Sequence, residues 1–299
     1  MKLGAIVPQG WTGEYDGRDA AEAWARSVAV ARQAERLGYE SIWLFDHFHT
    51  VPKPTHELTF ESFVALSALA ALTERVRVGH VVICNGFRNP ALTAKMAGTL
   101  DVVSGGRFDL GIGAGWKRDE WEAYGYGFPD TRTRLGMLTD GLEVIGRMLG
   151  GAPGERASYE GEHAVVRDAI NLPRGLQSPR IPIMVGGNGP NVTWRLAARF
   201  ADELNLDGLS PAELREALPV IRSRCEEIGR DPQTLRISLH AWWGDDDWRT
   251  PGDRRIAYLG ELADLGIARV MGLLQASATS DEPLQSLAED ARAAGVILS

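Results

Sequence analysis

Ser41-Ile42-Trp43-Leu44-Phe45-Asp46-His47-Phe48 is the stretch whose reading decides the fold. It is a run of branched and aromatic side chains that ends in an Asp-His pair. Gly38 precedes it and Pro52 and Pro54 follow, so it reads as a strand buried on both faces, as in a parallel sheet. Asp46 and His47 then stand at the carboxyl end of that strand. In α/β folds this end carries the loops that bind and react, because the opposite end is taken up by turns returning from the helices. A lone Asp-His pair is as readily a turn cap followed by a surface residue, so the rest of the chain has to decide.

Outward from this stretch, strands and helices alternate. Residues 3–7 read as the first strand, and a helical pattern over 19–37 ends at Gly38. The same alternation gives strands at 76–84, 108–112, 181–185, 203–206, 235–241 and 268–273. Helices are expected at 60–72, 90–103, 119–123 with 135–149, 191–200, 211–228, 253–265 and 283–294. Pro90 is well placed as a first helical residue. Residues 150–180 hold several Gly and Pro and no sustained period, which marks an insertion after the fourth helix. Eight strands, each followed by a helix, predict an α/β fold, a (β/α)8 TIM barrel spanning residues 1–299 as one domain. An open doubly wound sheet would place a glycine fingerprint after its first strand, where this chain has Pro8-Gln9-Gly10-Trp11.

Composition narrows the function classes. The 299 residues are 44% apolar and 24% charged with a net charge of -8, a soluble globular balance. No basic footprint for nucleic acid or an anionic membrane surface is present, and no run reaches the ~18 apolar residues of a membrane span. The opening apolar run is too short for a signal peptide. Cys84 and Cys225 lie far apart without metal or redox spacing, which fits a reducing, cytoplasmic compartment.

In a barrel, the loops after the strands share one mouth. Gly186-Gly187-Asn188-Gly189 sets successive N–H groups at a helix start, a site for a phosphate. Gly113-Ala114-Gly115 allows a flat ligand close to the backbone. Together they point to a cofactor with a phosphate tail and a planar head. Gly111-Ile112-Gly113-Ala114-Gly115-Trp116 is no dinucleotide fingerprint, since Trp116 takes the third glycine position. Trp11, Phe48, Trp116 and Trp243 predict a pocket for an apolar or aromatic substrate, with Trp242 beside them. His47, His49, His56 and His240 permit a remote alternative, a metal-dependent barrel hydrolase, but the further ligands it needs on later strands are mostly missing. His80, inside the third strand, reads as a core residue.

These segments also carry a resemblance. Ser41 to His47, Phe87-Arg88-Asn89-Pro90-Ala91 with Lys95 and Met96, and Leu100 to Phe108 running into Gly111 to Trp116 resemble the luciferase-like oxidoreductases. Ile183 to Gly187 and Arg195 to Asp202 do so as well. The chain is most similar to the branch that uses the deazaflavin coenzyme F420. That resemblance implies a hydride-transferring oxidoreductase acting on a small organic substrate, with His47 as acid/base near C5 and Asp46 hydrogen-bonded to the ring. It implies that Val81 and Val82 flank a non-prolyl cis peptide behind the ring, next to Cys84, and that Gly186 and Gly187, with Asn188, bind the phosphate. The flavin branch implies the alternative: FMN, oxygen and a monooxygenase fed by a partner reductase. The partners expected are a small-molecule substrate, a separate cofactor-reducing enzyme and, as an option, a second copy in a homodimer. Lys53, Lys117, Arg118 and Arg174 are the candidates for an anionic cofactor tail. Some relatives carry a glutamate proton donor just after the fourth strand, where this chain has Gly113 to Trp116; its first acids there are Asp119 and Glu120.

Overall fold

The computed structural model describes residues 1–152 and 154–298. The elements follow in the order β1 (Lys2–Ile6), α1 (Ala20–Leu37), β2 (Ser41–Leu44), α2 (Ser62–Ala71), β3 (Arg77–His80), β4 (Ile83–Cys84), α3 (Pro90–Val103) and β5 (Phe108–Gly113). Then come α4 (Arg118–Ala123), α5 (Thr131–Leu149), β6 (Ala157–Glu160), β7 (Val165–Ala169), β8 (Ile183–Gly186), α6 (Thr193–Phe200) and β9 (Glu203–Asp207). The chain ends with α7 (Pro211–Glu226), β10 (Arg236–Ala241), α8 (Asp246–Arg249), α9 (Asp253–Asp264), β11 (Arg269–Leu273) and α10 (Glu282–Ala293).

Local chemistry sets the helix ends. The Asp19 carboxylate accepts from the Ala21 and Glu22 N–H groups at the start of α1, and Gly38, at φ 88, ends it in the left-handed conformation. Ser210 and Glu213 close a capping box around Pro211 at the start of α7. Each helix is thereby aimed back toward the start of the next strand.

All barrel pairings are parallel, in the order β3-β2-β1-β11-β10-β9-β8-β5, and the β3–β5 pairing closes the ring. The expected eight-stranded barrel is present. The third strand is split, however: β3 stops at His80 and β4 resumes at Ile83, and between them the Val81-Val82 peptide is cis, as the resemblance implies. The excursion at 150–180 holds an antiparallel hairpin of β6 and β7, tied to α5 because Tyr159 Oη and the His163 N–H both donate to the Asp140 carboxylate. Its strands are short and pack on one face only, through Ala157, Tyr159, Val166 and Ala169, so the alternation is too brief to read in sequence.

One apolar core lies between barrel and helices; a second fills the barrel itself with Ile6, Trp11, Trp43, Phe45, Val81, Met184, Met271 and Leu273. Trp43 is the plug. A methyl group on Gly79 would stand 2.3 Å from its ring, so glycine on β3 makes room for the indole. Beneath it Arg269 ion-pairs with Glu40 (2.9 Å), Glu203 (3.2 Å) and Asp109 (3.5 Å), and its guanidinium covers the Trp43 ring at 5.0 Å. The amino end of the barrel is thus sealed by charge and an indole, which leaves the carboxyl end as the mouth.

Candidate active site

Past Leu44 the chain turns across the mouth. Gln9 locks that turn: its Nε2 donates to the Phe45 carbonyl (3.0 Å), and the Phe45 N–H donates to its Oε1 (2.9 Å). The next residue, Asp46, is 3% exposed and accepts four hydrogen bonds. Arg88 grips it with both terminal nitrogens (2.7 and 2.8 Å), Ser62 Oγ donates at 2.7 Å and the Cys84 N–H at 2.8 Å. Burial pushes this carboxyl up, but the Arg88 guanidinium and the other donors prevail and hold it below the usual carboxylate range. Asp46 therefore ties β2 to the loop after β4. The expectation that its side chain bonds a cofactor ring does not match this arrangement, because its oxygens are already taken by protein donors.

His47 is held by a residue the sequence reading passed over as a partner. Its Nδ1 lies 2.7 Å from Oε2 of Glu120, and Oε1 of the same carboxylate accepts from the Phe48 N–H at 2.9 Å. Glu120, on α4, has no exposed surface. A carboxylate only accepts, so the Nδ1–H tautomer is assigned from its partner, and Nε2 is the nitrogen left for proton exchange. Trp11 stacks on the imidazole with centroids 4.0 Å apart and planes 3° apart. Trp243 meets Trp11 edge-on at 5.4 Å, and Trp116, 59% exposed, presents an edge to His47 at 6.0 Å. Trp11, Trp116 and Trp243 are thus gathered around His47. Phe48 is not: it packs with Phe87 (4.6 Å) and Tyr124 (4.4 Å) in a separate aromatic cluster that includes Trp121.

The glycines serve mostly the protein. A methyl group on Gly113 or Gly186 would stand 2.9 Å from the Val82 side chain, and one on Gly115 would meet Cys84 Sγ at 2.3 Å and Trp121. On the side where a Cβ would stand, they accommodate Val82, Cys84 and Trp121. Cys84 is buried and its thiol is pushed up to about 12 by that burial. At the phosphate candidate the Gly187 N–H is spent on the Asn205 carbonyl (3.0 Å). The Asn188 and Gly189 N–H groups, one step on, donate to no protein acceptor among the described residues. The Asn188 side chain brackets the Asp207 backbone, donating to its carbonyl (2.7 Å) and accepting from its N–H (2.9 Å). Of the basic candidates, Lys117 pairs with Asp119 (2.8 Å), Arg118 with Glu122 (3.1 Å), and Arg174 donates to the carbonyls of Gly150 and Ala152.

Among the described residues no three His, Cys, Asp or Glu side chains are grouped to hold a metal ion, and no helix is long and apolar enough to cross a membrane. His80 is fully buried 4.4 Å from the Phe63 ring, and burial pushes its pKa down to about 4.

The mouth of the barrel thus carries a carboxylate-held histidine among indoles, and a family model shows where such a chain belongs. The model for luciferase-like monooxygenases matches residues 1–249, and the chain belongs to that family. Among curated relatives, the F420-dependent glucose-6-phosphate dehydrogenase of Microbacterium testaceum is 33% identical over 220 residues, 69% of this chain and 62% of that one. The enzyme of the same name from Kineococcus radiotolerans is 34% identical over 219 residues, 70% and 62% of the two chains. The match thus spans less than two thirds of these relatives. Among solved structures, an F420-dependent secondary alcohol dehydrogenase in complex with an F420-acetone adduct superposes with a TM-score of 0.81 at 18% identity, over 98% of both chains. The oxygenating constituent of 3,6-diketocamphane monooxygenase from Pseudomonas putida, in complex with FMN, reaches 0.73 at 17% identity, over 100% and 99% of the chains. At these identities the structural likeness shows the barrel alone.

Proposed function

We propose that this protein is an F420-dependent oxidoreductase that exchanges hydride with a small apolar or aromatic alcohol or carbonyl compound. The observation that carries the reading is His47, stacked under Trp11, with Nδ1 anchored 2.7 Å from the buried Glu120 carboxylate. The names of the two dehydrogenase relatives support the choice of cofactor.

When bound, F420 supplies a two-electron hydride carrier at C5. The residues present fit such a group in two places. Val81 and Val82, at the cis peptide in the barrel wall, would back the ring. The Asn188 and Gly189 N–H groups, with Gly186 and Gly187 beside them, would meet a phosphate. The chain's own residues then handle the proton. As a substrate hydroxyl becomes a carbonyl, its carbon gives up hydride and its oxygen gives up a proton to His47 Nε2. Glu120 keeps the imidazole in the tautomer whose Nε2 lone pair is free, and stabilises the imidazolium that forms. The indoles of Trp11, Trp116 and Trp243 keep an apolar substrate close and water thin. On this reading a separate enzyme returns the cofactor to its starting redox state.

The test is fluorescence titration of the apo-protein with F420 and with FMN, each in both redox states. Saturable binding of F420 and weak binding of FMN is the expected result. Preference for reduced FMN would overturn the cofactor and point to an oxygen-using monooxygenase. With F420 bound, His47→Ala should keep the cofactor affinity and lose hydride transfer; unchanged turnover would remove His47 from the reaction.

A further inference from the structure

A second histidine stands at the mouth. His240, the penultimate residue of β10, is 5% exposed, and its ring is 5.4 Å from Phe45, whose own ring is 6.5 Å from His47. Its Nδ1 lies 2.9 Å from Asp207 Oδ1, which also accepts from Trp242 Nε1 at 2.9 Å. Asp207 is itself pinned, because the Asn188 side chain brackets its backbone. Gly208, at φ +62, leaves the space that the Trp242 ring fills, since a methyl group there would stand 2.2 Å from it. The loops after β8, β9 and β10 are thus joined in one hydrogen-bonded strap that fixes the His240 ring.

The other nitrogen of that ring is buried and has no protein partner. Trp11 Nε1, in the same aromatic basin, is also buried without one. An unmet polar atom shut away from water is destabilising, so a fold that uses three loops to hold His240 in this state implies something that meets it. With Nδ1–H donating to Asp207, the neutral ring presents Nε2 as an acceptor. The surroundings are Phe45, Trp242 and Trp243, with ring centroids 5.4 to 6.2 Å away.

We infer that His240 is a second substrate-contacting residue, whose Nε2 accepts a hydrogen bond from a hydroxyl or N–H group carried on an apolar or aromatic scaffold, apart from the group that reacts at His47. The assignment of the ligand as substrate rests on the oxidoreductase reading above; the hydrogen bond itself does not. His240 lies on β10, across the barrel from the Val81-Val82 peptide, and the loop after β8 that would meet a cofactor phosphate is bonded into the strap that holds it. A substrate that meets both His47 and His240 carries two polar groups on one apolar scaffold.

The experiment uses two probes that differ in one donor. Phenol offers an aromatic face and an O–H, and anisole offers the same face without it. Each is titrated into the full-length apo-protein by tryptophan fluorescence, before any cofactor is added. Phenol should bind about three- to tenfold more tightly than anisole, the range one net hydrogen bond supports. In His240→Phe, checked for folding by its unfolding transition, the two should bind alike. Equal binding to the wild-type protein, binding of neither probe, or a phenol preference that survives in His240→Phe would each overturn the inference. F420 titration of the wild-type protein is read separately: failure to bind F420 would sink the cofactor reading and leave the phenol result standing.

Discussion

Replacing Glu120 by Gln removes one charge from a fully buried site and changes no heavy-atom count, so its effect can be worked from geometry. Oε2 accepts from His47 Nδ1 at 2.7 Å, and Oε1 accepts from the Phe48 N–H at 2.9 Å and more weakly from the His49 N–H at 3.4 Å. An amide has one acceptor oxygen, so it can serve only one side. With its oxygen toward His47, its NH2 faces the Phe48 N–H, donor against donor. With its oxygen toward Phe48, its NH2 faces Nδ1, which must then become the acceptor, and the imidazole proton moves to Nε2. A ring protonated at Nε2 cannot take the substrate proton there. Loss of one hydrogen bond to a charged group is worth about 1.5–3 kcal/mol. At 1.36 kcal/mol per tenfold in rate, hydride transfer should slow about 10- to 100-fold, with F420 affinity retained. Long-range proton–nitrogen correlation of the ring nitrogens reads the tautomer without turnover: Nδ1–H in the wild-type protein and a shift toward Nε2–H in Glu120→Gln. Wild-type His47 already protonated at Nε2, or a variant within twofold of wild-type rate, would refute the positioning role.

Three further outcomes follow from the same geometry. His80 is pushed down to about 4 in the folded chain by burial and titrates near 6.5 when unfolded; the unfolded chain binds the proton first, so stability is full above pH ~6.5 and falls by up to roughly 3 kcal/mol on acidification toward pH ~4. Denaturant midpoints across that range should show a flatter slope for His80→Leu, and an identical slope would exclude His80 as the source. Arg88→Met leaves the Asp46 carboxylate buried without its bidentate partner, which should cost about 3–5 kcal/mol; a loss below ~1 kcal/mol in urea unfolding would show that Ser62 and the Cys84 N–H suffice. Gly79→Ala forces a methyl group against the Trp43 ring and should destabilise by about 1–3 kcal/mol. Gly260→Ala, on α9 with open space around it, should instead raise the thermal midpoint through the better helix propensity of alanine, worth about 0.5–1 kcal/mol, and equal signs for the two would refute the packing argument.

The barrel was legible because its signals are local. A buried parallel strand is a short apolar run, an amphipathic helix repeats near 3.6 residues, and Gly38, Pro90 and Pro211 punctuate their ends. His47 was legible for the same reason, standing where such a strand ends. What surrounds it was not. Arg88 comes 42 residues after Asp46, and Glu120 comes 73 residues after His47; no pattern of period two or 3.6 links such positions. Nor does a glycine declare which neighbour it admits: a Cβ on Gly113 or Gly186 would meet Val82, and one on Gly115 would meet Cys84 and Trp121. Phe48, next to His47 in sequence, was drawn into a different aromatic cluster. The β6–β7 hairpin passed unread because its strands are only four and five residues long and only one face packs on the core. By itself, then, the sequence determined the strand and helix order, the mouth of the barrel and the histidine at its edge. Only closure of the ring decided which carboxylate that histidine leans on, because a hydrogen-bond partner is chosen by distance in space, and the barrel brings together ends of strands that the chain keeps far apart.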